Sequence, residues 1–406
     1  MAGRETGGHV LFQTLDNKAE CRGVYANGKI LQILPFSNDL TKTWKYTRHF
    51  KGQEIECANL YCNGKSLDEV CPEHLKEDWE KITKKMKAFL LSFATAKISL
   101  NDFCFYDMIP EKFLLEYCHL KNEICDHVFT THEKPKNYEL LYELSRVIEE
   151  IGARELNIDE KALRNQLTTI EARNFFKRIQ DTENAPLYNI FGTKTGRLTT
   201  KRESFPILTM NRKFRKILKP NNDWFLELDF NAAELRTVLA LLNVKQPEED
   251  IHAWNMKNVF GGENISRKEA KRKIFAWLYN PNATHRTANM IYDRDLVKEK
   301  YFDGSAVHTV FDRVIDCDDY RAVNYIIQST TSDLMLQQMV KIHNILRESN
   351  SHIAFCMHDS IVIDFSDLDR NLVSEIVEIF RRTIFGDFKV NITAGKNYGS
   401  MRKLNV

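Results

Sequence analysis

Apolar positions along the chain recur with two periods, and the switches between them mark the elements. Residues 9–34 alternate apolar and polar side chains, with Asn27-Gly28 between two such runs (GVYANGKILQIL), which predicts a small sheet containing a hairpin. From Pro72 to about Ser99 the period lengthens to that of an amphipathic helix (EDWEKITKKMKAFLLSFA), and helices follow at about 110–122 and 137–154. Residues 158–180 read as one more helix, amphipathic and polar. Then WFLELDFNAAELRTVLALL (224–242) opens as an apolar run, a buried strand ending on Asp229, and continues past Asn231, a candidate cap, into an apolar-faced helix. An acid at the carboxyl end of a buried strand is held rigidly where it can meet a ligand. Capping a helix is the commoner use of a single Asp in such a place.

Further along, Asp250-Ile251-His252 starts a helix that runs to about Phe260 and breaks at Gly261-Gly262. Ser266, with Glu269 three residues later, forms a capping box for a strong helix. On it Arg267, Lys271, Phe275 and Tyr279 recur every fourth residue, each step advancing one turn plus about 40°. Two cations followed by two aromatics suit a triphosphate followed by a base; a solvated basic end running into core aromatics is the plainer reading. Residues 320–341 form an apolar helix interrupted by Asn324 and Gln328, one turn apart on one face. Buried amides need partners, and either a base edge or a structural hydrogen bond meets that need. HIAFCMHDSIVIDF (352–365) alternates on both sides of His358-Asp359-Ser360 and predicts a hairpin with the acid at its tip. An amphipathic helix at roughly 367–385 and a strand near 388–394 complete the pattern.

At 406 residues the chain is long enough for two or more subdomains, and 43% apolar with 28% charged residues is the balance of a soluble globular protein. No bilayer-spanning run and no signal-peptide pattern is visible, and nine cysteines without regular spacing suggest free thiols in a reducing compartment. A cytoplasmic protein is expected. Cys57, Cys62, Cys71 and His74 are four potential soft ligands, but their spacing fits no zinc pattern well and small buried cysteines serve as the alternative. Net charge is only +2, yet residues 194–216 carry eight Lys/Arg against one acid, Glu203, and Arg267-Lys268 with Lys271-Arg272-Lys273 form a second cluster. Local basic stripes on a nearly neutral chain fit a groove for a polyanion, although a charge run is more often a solvated face. Within the first stripe Arg197, between Gly196 and Leu198, is a candidate for contacting a phosphate or a base edge.

Asp229 and Asp359 each end or cap an apolar strand, and together they would repel unless divalent metal neutralised them. Mg²⁺ takes oxygen ligands from one or two carboxylates plus substrate phosphates. Two such ions about 4 Å apart activate an attacking hydroxyl and stabilise the leaving oxygen of a phosphoryl transfer.

Taken together these segments resemble, over roughly residues 140–406 and in collinear order, the polymerase region of family A DNA polymerases. DFNAAELR (229–236) resembles the first catalytic motif, RKEAKRKIFAWLY (267–279) the nucleotide-binding helix, and MHDSIVI (357–363) the second catalytic motif. DIH (250–252), TGRLTT (195–200) and RAVNYIIQ (321–328) are three supporting matches. The resemblance implies an α/β right-hand fold: a small N-terminal α+β region (1–100), thumb-like helices (101–195), palm (196–245 and 319–406, with an antiparallel sheet) and fingers (246–318). It implies template-directed DNA synthesis with Asp229 and Asp359 holding two Mg²⁺ ions, Mn²⁺ being a substitute. Arg267, Lys271 and His252 would bind the triphosphate of the incoming dNTP. Phe275 and Tyr279 would pack on the nascent pair, with Phe275, which lacks a hydroxyl, disfavouring dideoxynucleotides. Glu234 would screen the sugar 2′ position. Arg197, Asn324, Gln328 and His358 would contact the primer-template DNA.

The sequence also departs from the family pattern. Ser360 stands where a third carboxylate is usual, Ala232 where many members have Gln, and Asn280 where Gly usually follows the helix Tyr; the connection from Tyr279 to Arg321 is short, implying trimmed fingers. Proofreading is expected to be absent. Only about 100 residues precede the thumb-like helices, and Asp16 with Glu20 has the wrong spacing for the exonuclease motif, so the 9–34 segment reads at most as a remnant of that domain. A phage replicase in the host cytoplasm, working with a separate exonuclease or processivity factor and no membrane partner, fits this pattern. A single-subunit RNA polymerase is the alternative enzyme, opposed by Glu234. A non-catalytic primer-template binding protein is the alternative from another class, motivated by Ser360 and opposed by the retained aspartates, Arg and Lys.

Overall fold

The computed structural model describes residues 10–16, 21–32, 39–50, 53–98, 100, 103–164, 167–261 and 265–404. The chain divides into two compact units, residues 1–149 and 150–406. Among the described residues no helix is long and apolar enough to cross a membrane.

In the first unit the alternating segment forms a five-stranded mixed sheet. Asn27 and Gly28 have φ of 49° and 75° and join the strands Cys21–Ala26 and Lys29–Leu31, the two positive φ angles that a tight hairpin turn of this twist requires. Val10–Asp16 lies centrally, antiparallel to Cys21–Ala26 and parallel to Leu40–Thr43. Helices Lys76–Thr95 and Glu111–Thr131 bury Trp79, Ile82, Ile124 and Val128 in one core. The second helix runs nine residues beyond the expected end at 122. Cys57, Cys62 and Cys71 are buried free thiols, their pKa values raised first of all by burial, while His74 is exposed. They pack as small core side chains. Of the Asp16/Glu20 pair, Glu20 lies outside the described residues, as does Gly262 of the predicted helix break.

The second unit is built on a five-stranded antiparallel sheet. Its order is His352–Met357, Ser360–Phe365, Trp224–Phe230, Val390–Gly395, Arg402–Lys403, which leaves Trp224–Phe230 in the middle. Period-2 alternation puts Phe225 and Phe355 in edge-to-face contact, while Phe230 stacks at 4.2 Å on Phe380 of the helix Val373–Arg381. The 28-residue helix Asp319–Leu346 is buried on most of its circumference, which is why its sequence shows so weak an amphipathic period. Helices Ile251–Asn258, Arg267–Tyr279, Arg286–Ile291 and Arg294–Tyr301 share a second core with Ala233–Leu241. The capping box at Ser266 and Glu269 is present.

Two expectations need correction. Residues 158–180 are not one helix: Glu160–Arg164 ends, and Thr169 caps a new helix, Ile170–Gln180, by accepting from the amide of Ala172 at 3.2 Å. A Thr-Thr pair at 168–169 favours a cap over helix interior. Asn231 does not cap the helix after the Asp229 strand. Ala232 holds that position in the left-handed region (φ 53°), and the Asn231 side chain is spent on Asp250, Arg236 and the amide of Ile251.

Candidate active site

The site begins with the register of the central strand. Asp229 pairs with Ser360 on one side and Asn391 on the other. Asp359 immediately precedes Ser360 in the two-residue turn between its strands, and His358, at φ 54°, makes that turn possible. Asn391 donates to Asp229 Oδ2 at 3.0 Å. Burial, opposed by that hydrogen bond and reinforced by Asp359 and Glu227, pushes the Asp229 carboxyl up to about 6. Tyr188 fixes the hairpin from behind: its hydroxyl donates to the carbonyl of Cys356 at 2.6 Å and accepts from the same residue's amide at 2.9 Å.

Around this pair the structure gathers most of the residues singled out from the sequence. A pocket beside the hairpin is lined by Arg197, His358, Asp359, Thr331 and Met335 among others. Arg197 donates to Glu234 Oε1 at 2.5 Å. Burial raises the pKa of Glu234, and the neighbouring Tyr279 and Arg197 oppose that rise. The Tyr279 hydroxyl is buried without a hydrogen bond of regular geometry, and burial followed by the Glu234 charge holds its pKa far above the ordinary phenol value. Phe275 stacks on Tyr279 with ring centroids 6.1 Å apart, and Lys271 lies 6.0 Å from the Phe275 centroid while its charge lowers the pKa of Asp229. The Arg267–Tyr279 stripe therefore faces the acids.

The cationic end of the stripe is already engaged. Arg267 forms a two-pronged ion pair with Asp250, Nε to Oδ1 at 3.0 Å and Nη2 to Oδ2 at 2.6 Å. Asp250 also caps its own helix through the amides of His252 and Ala253 and accepts from Asn231, and these donors hold its carboxyl well below the usual range. Behind it the fully buried Arg236 guanidinium is held by backbone carbonyls of Asn231, Pro247 and Glu249, its pKa lowered by burial to about 10. The sequence reading passed over Asp250 and Arg236 as participants; an Arg in an otherwise apolar helix face was the available signal.

His252 is 2% exposed, with Nδ1 lacking a partner among the described residues. Burial first, then Lys271 and Arg267, depress its pKa to about 4. At neutral pH it is a neutral imidazole. The unfolded chain protonates near pH 6.5, so this histidine's contribution to stability is complete above about 6.5 and is lost as pH falls through 4. An NMR titration should show one imidazole with its midpoint near 4; a midpoint near 6.5 assigned to His252 would contradict this burial.

Asn324 and Gln328 stand on the first half of the Asp319–Leu346 helix, half-buried, and neither side chain makes a hydrogen bond among the described residues. The buried Asn324 Oδ1 has no partner at all among them. Also unforeseen was Arg313, which pairs through two bonds with Asp333 and packs against Gly196.

The chemistry of the donor set fits a hard divalent cation. Two carboxylates converge, one of them with its ionised form disfavoured until positive charge arrives. Among the described residues no three His, Cys, Asp or Glu side chains form a ready-made cage.

The fold is that of a polymerase right hand with palm, fingers and thumb. The chain superposes on the "POL domain of Pol1 from M. smegmatis complex with DNA primer-template and dNTP" with a TM-score of 0.59 at 12% identity, covering 71% of this chain and 76% of that one. No protein-family profile matches. In sequence it is similar to DNA polymerase I of Chloroflexus aurantiacus (26% identical over 53% of this chain) and of Borreliella burgdorferi (24% over 52%). Each alignment spans 29% of the relative's length.

Proposed function

We propose that the chain is a DNA-directed DNA polymerase of the family A type that extends a primer 3′-hydroxyl with dNTPs. The observation that supports this is the pairing of Asp229 opposite Ser360, which puts Asp229 next to the turn that carries Asp359, with the charge of Lys271 near enough to lower the Asp229 pKa. Asp229 and Asp359 would hold Mg²⁺, or Mn²⁺ in its place, which when bound lowers the pKa of the primer hydroxyl and stabilises the charge leaving the α-phosphate. The protein's own part is positional. Lys271, Arg267 and a neutral His252 receive the triphosphate, and Arg267 must exchange the carboxylate of Asp250 for phosphate as it does so. Phe275 and Tyr279 offer a stacked platform to the new pair. Glu234, braced by Arg197, occupies the space a ribose 2′-hydroxyl would need. Arg197, His358, Asn324 and Gln328 line the path of the primer-template, where acceptors common to every correct pair are read in the minor groove.

In this reading residues 196–245 and 319–406 form the palm, 246–318 the fingers and 101–195 the thumb. We extend it to a phage-type replicase without its own proofreading centre. The support for this is only that the first unit is not itself such a centre: in its central strand, VLFQTLD, the buried Gln13 is bonded to Asn122 and Cys125 and the one acid is at the end. Primer extension with Mg²⁺, in separate deoxynucleotide and ribonucleotide lanes, tests the whole reading. Extension with deoxynucleotides only, abolished in Asp359→Ala, is the expected result. DNA binding without extension would instead favour a primer-template binding protein, and extension with ribonucleotides an RNA polymerase.

A further inference from the structure

Two residues before Asp229, and on the same face of the central strand, stands a carboxylate that neither catalytic motif contains. Glu227 is half-buried, and three strands or loops turn hydroxyls toward it. Ser360 donates to Oε1 at 3.2 Å, Tyr398 to Oε1 at 3.3 Å and Thr393 to Oε2 at 2.9 Å. These partners are neutral, so the charge of Glu227 is oriented by them without being cancelled. Ser360 is the residue paired directly with Asp229 and follows Asp359 in the chain. Through Ser360 the Glu227 carboxylate is thus tied to the strand end that carries both catalytic acids. An isolated Glu in an apolar palm strand (WFLELDF) is otherwise unfavourable.

We infer that Glu227 is a positioning residue of the metal site: it supplies, from the neighbouring strand, the third negative charge that Ser360 does not carry at its own position. This rests on reading Asp229 and Asp359 as the cation-holding pair. Glu227 is not a ligand in this arrangement, because its oxygens are taken up by hydroxyls; it raises the affinity of the pair for a divalent ion and holds the Ser360 end of the hairpin in register. Successive same-face residues of a strand are about 6.6 Å apart. At that separation one unit charge acting on a divalent ion, even with a dielectric near the bulk-water value, changes cation affinity by about tenfold.

The test is Mn²⁺ binding to the full chain, followed by the loss of the free-ion EPR signal, in the natural protein, Glu227→Gln, Asp229→Asn and the double variant Glu227→Gln/Ser360→Glu. Melting curves in chelator establish that each variant is folded. Glu227→Gln should bind Mn²⁺ about tenfold more weakly, and in primer extension should need correspondingly more Mg²⁺ while its rate at saturating Mg²⁺ stays nearer that of the natural chain. The double variant, which moves the acid across the ladder to position 360, should recover most of the affinity. Natural affinity in folded Glu227→Gln, with binding lost in Asp229→Asn, overturns this inference alone. Binding unchanged in Asp229→Asn as well overturns the metal reading of the site and this inference with it. A Glu227→Gln protein that melts early and is not restored by the second substitution assigns Glu227 a purely structural role, which also overturns it.

Discussion

Replacing Asp229 by asparagine is expected to make the protein more stable and inactive at once. The Asp229 carboxyl titrates at about 6 because it is buried and shares its surroundings with Asp359 and Glu227. That is well above an ordinary Asp, an unfavourable contribution of about 3 kcal/mol to the folded state at neutral pH. The sign follows from proton counting. Between about pH 4 and 6 the folded chain holds a proton that the unfolded chain has released, so the natural protein gains stability as pH falls through that interval and loses it as pH rises. The asparagine side chain cannot ionise, and it keeps an amide of the same shape beside Asn391. In chelator, calorimetry should therefore find Asp229→Asn melting higher than the natural chain above about pH 6, with the difference closing by about pH 4. Added Mg²⁺ should narrow the gap, since the ion binds the folded natural chain preferentially. Primer extension should fall by at least about a thousandfold, several kcal/mol of lost charge stabilisation. A variant that melts lower than the natural chain in alkaline chelator, or that still extends primers, would falsify the assignment of Asp229 as a strained cation ligand.

The strand that carries Asp229 is legible in the sequence, and the surroundings of Asp229 are not. The strand was legible because Trp224–Phe230 is apolar in alternate and central positions, and the 352–365 hairpin because its alternation is interrupted only at the turn. The capping box at Ser266 is a local device, complete within four residues. What sequence spacing could not convey was pairing between distant segments. The helix start at Asp250 is legible, but the partner of its carboxylate, Arg267, lies seventeen residues away. Arg197 and Glu234 were each given a separate role, and the fold joins them 37 residues apart in sequence. Ser360 was read as a missing acid; only the register of the sheet shows the acid that stands beside it. The break in 158–180 went unread for a different reason. A polar amphipathic run carries little packing information, so a cap at Thr169 decides the matter locally.

These long-range pairs also order the site's energetics. The strands of the central sheet are fixed by apolar packing and need no ligand, whereas in the ion pairs Arg197–Glu234 and Arg267–Asp250 a half-exposed guanidinium meets a largely covered carboxylate. In the proposed function each would yield its guanidinium to a phosphate or a base edge without unfolding any core.

The opposite behaviour is expected of Arg313 and Asp333. Arg313 donates to Asp333 through Nε at 2.9 Å and Nη2 at 2.6 Å, and the Asp333 side chain is 1% exposed within the Asp319–Leu346 helix. Gly196 lies directly over the guanidinium: a Cβ there would come within 2.6 Å of Nη2, and its φ of +76° admits few other residues. The pair is therefore both the anchor of a buried helix and the floor of the loop that presents Arg197. Arg313→Ala should destabilise by about 3–5 kcal/mol, because it leaves the Asp333 charge in the interior without compensation. Lysine should rescue only part of this, since a single ammonium cannot reproduce the two-pronged bond. An apolar pair, Arg313→Met with Asp333→Leu, should restore most of the stability by removing both charges together. It should not restore function, because the loop around Gly196 and Arg197 loses the flat, rigid surface it packs on. Urea unfolding and primer-template affinity, measured on the same three variants, separate the two effects. If the apolar pair bound primer-template as tightly as the natural chain, the guanidinium would be structural ballast. If Arg313→Ala lost less than about 1 kcal/mol, the bond would be behaving as a surface pair.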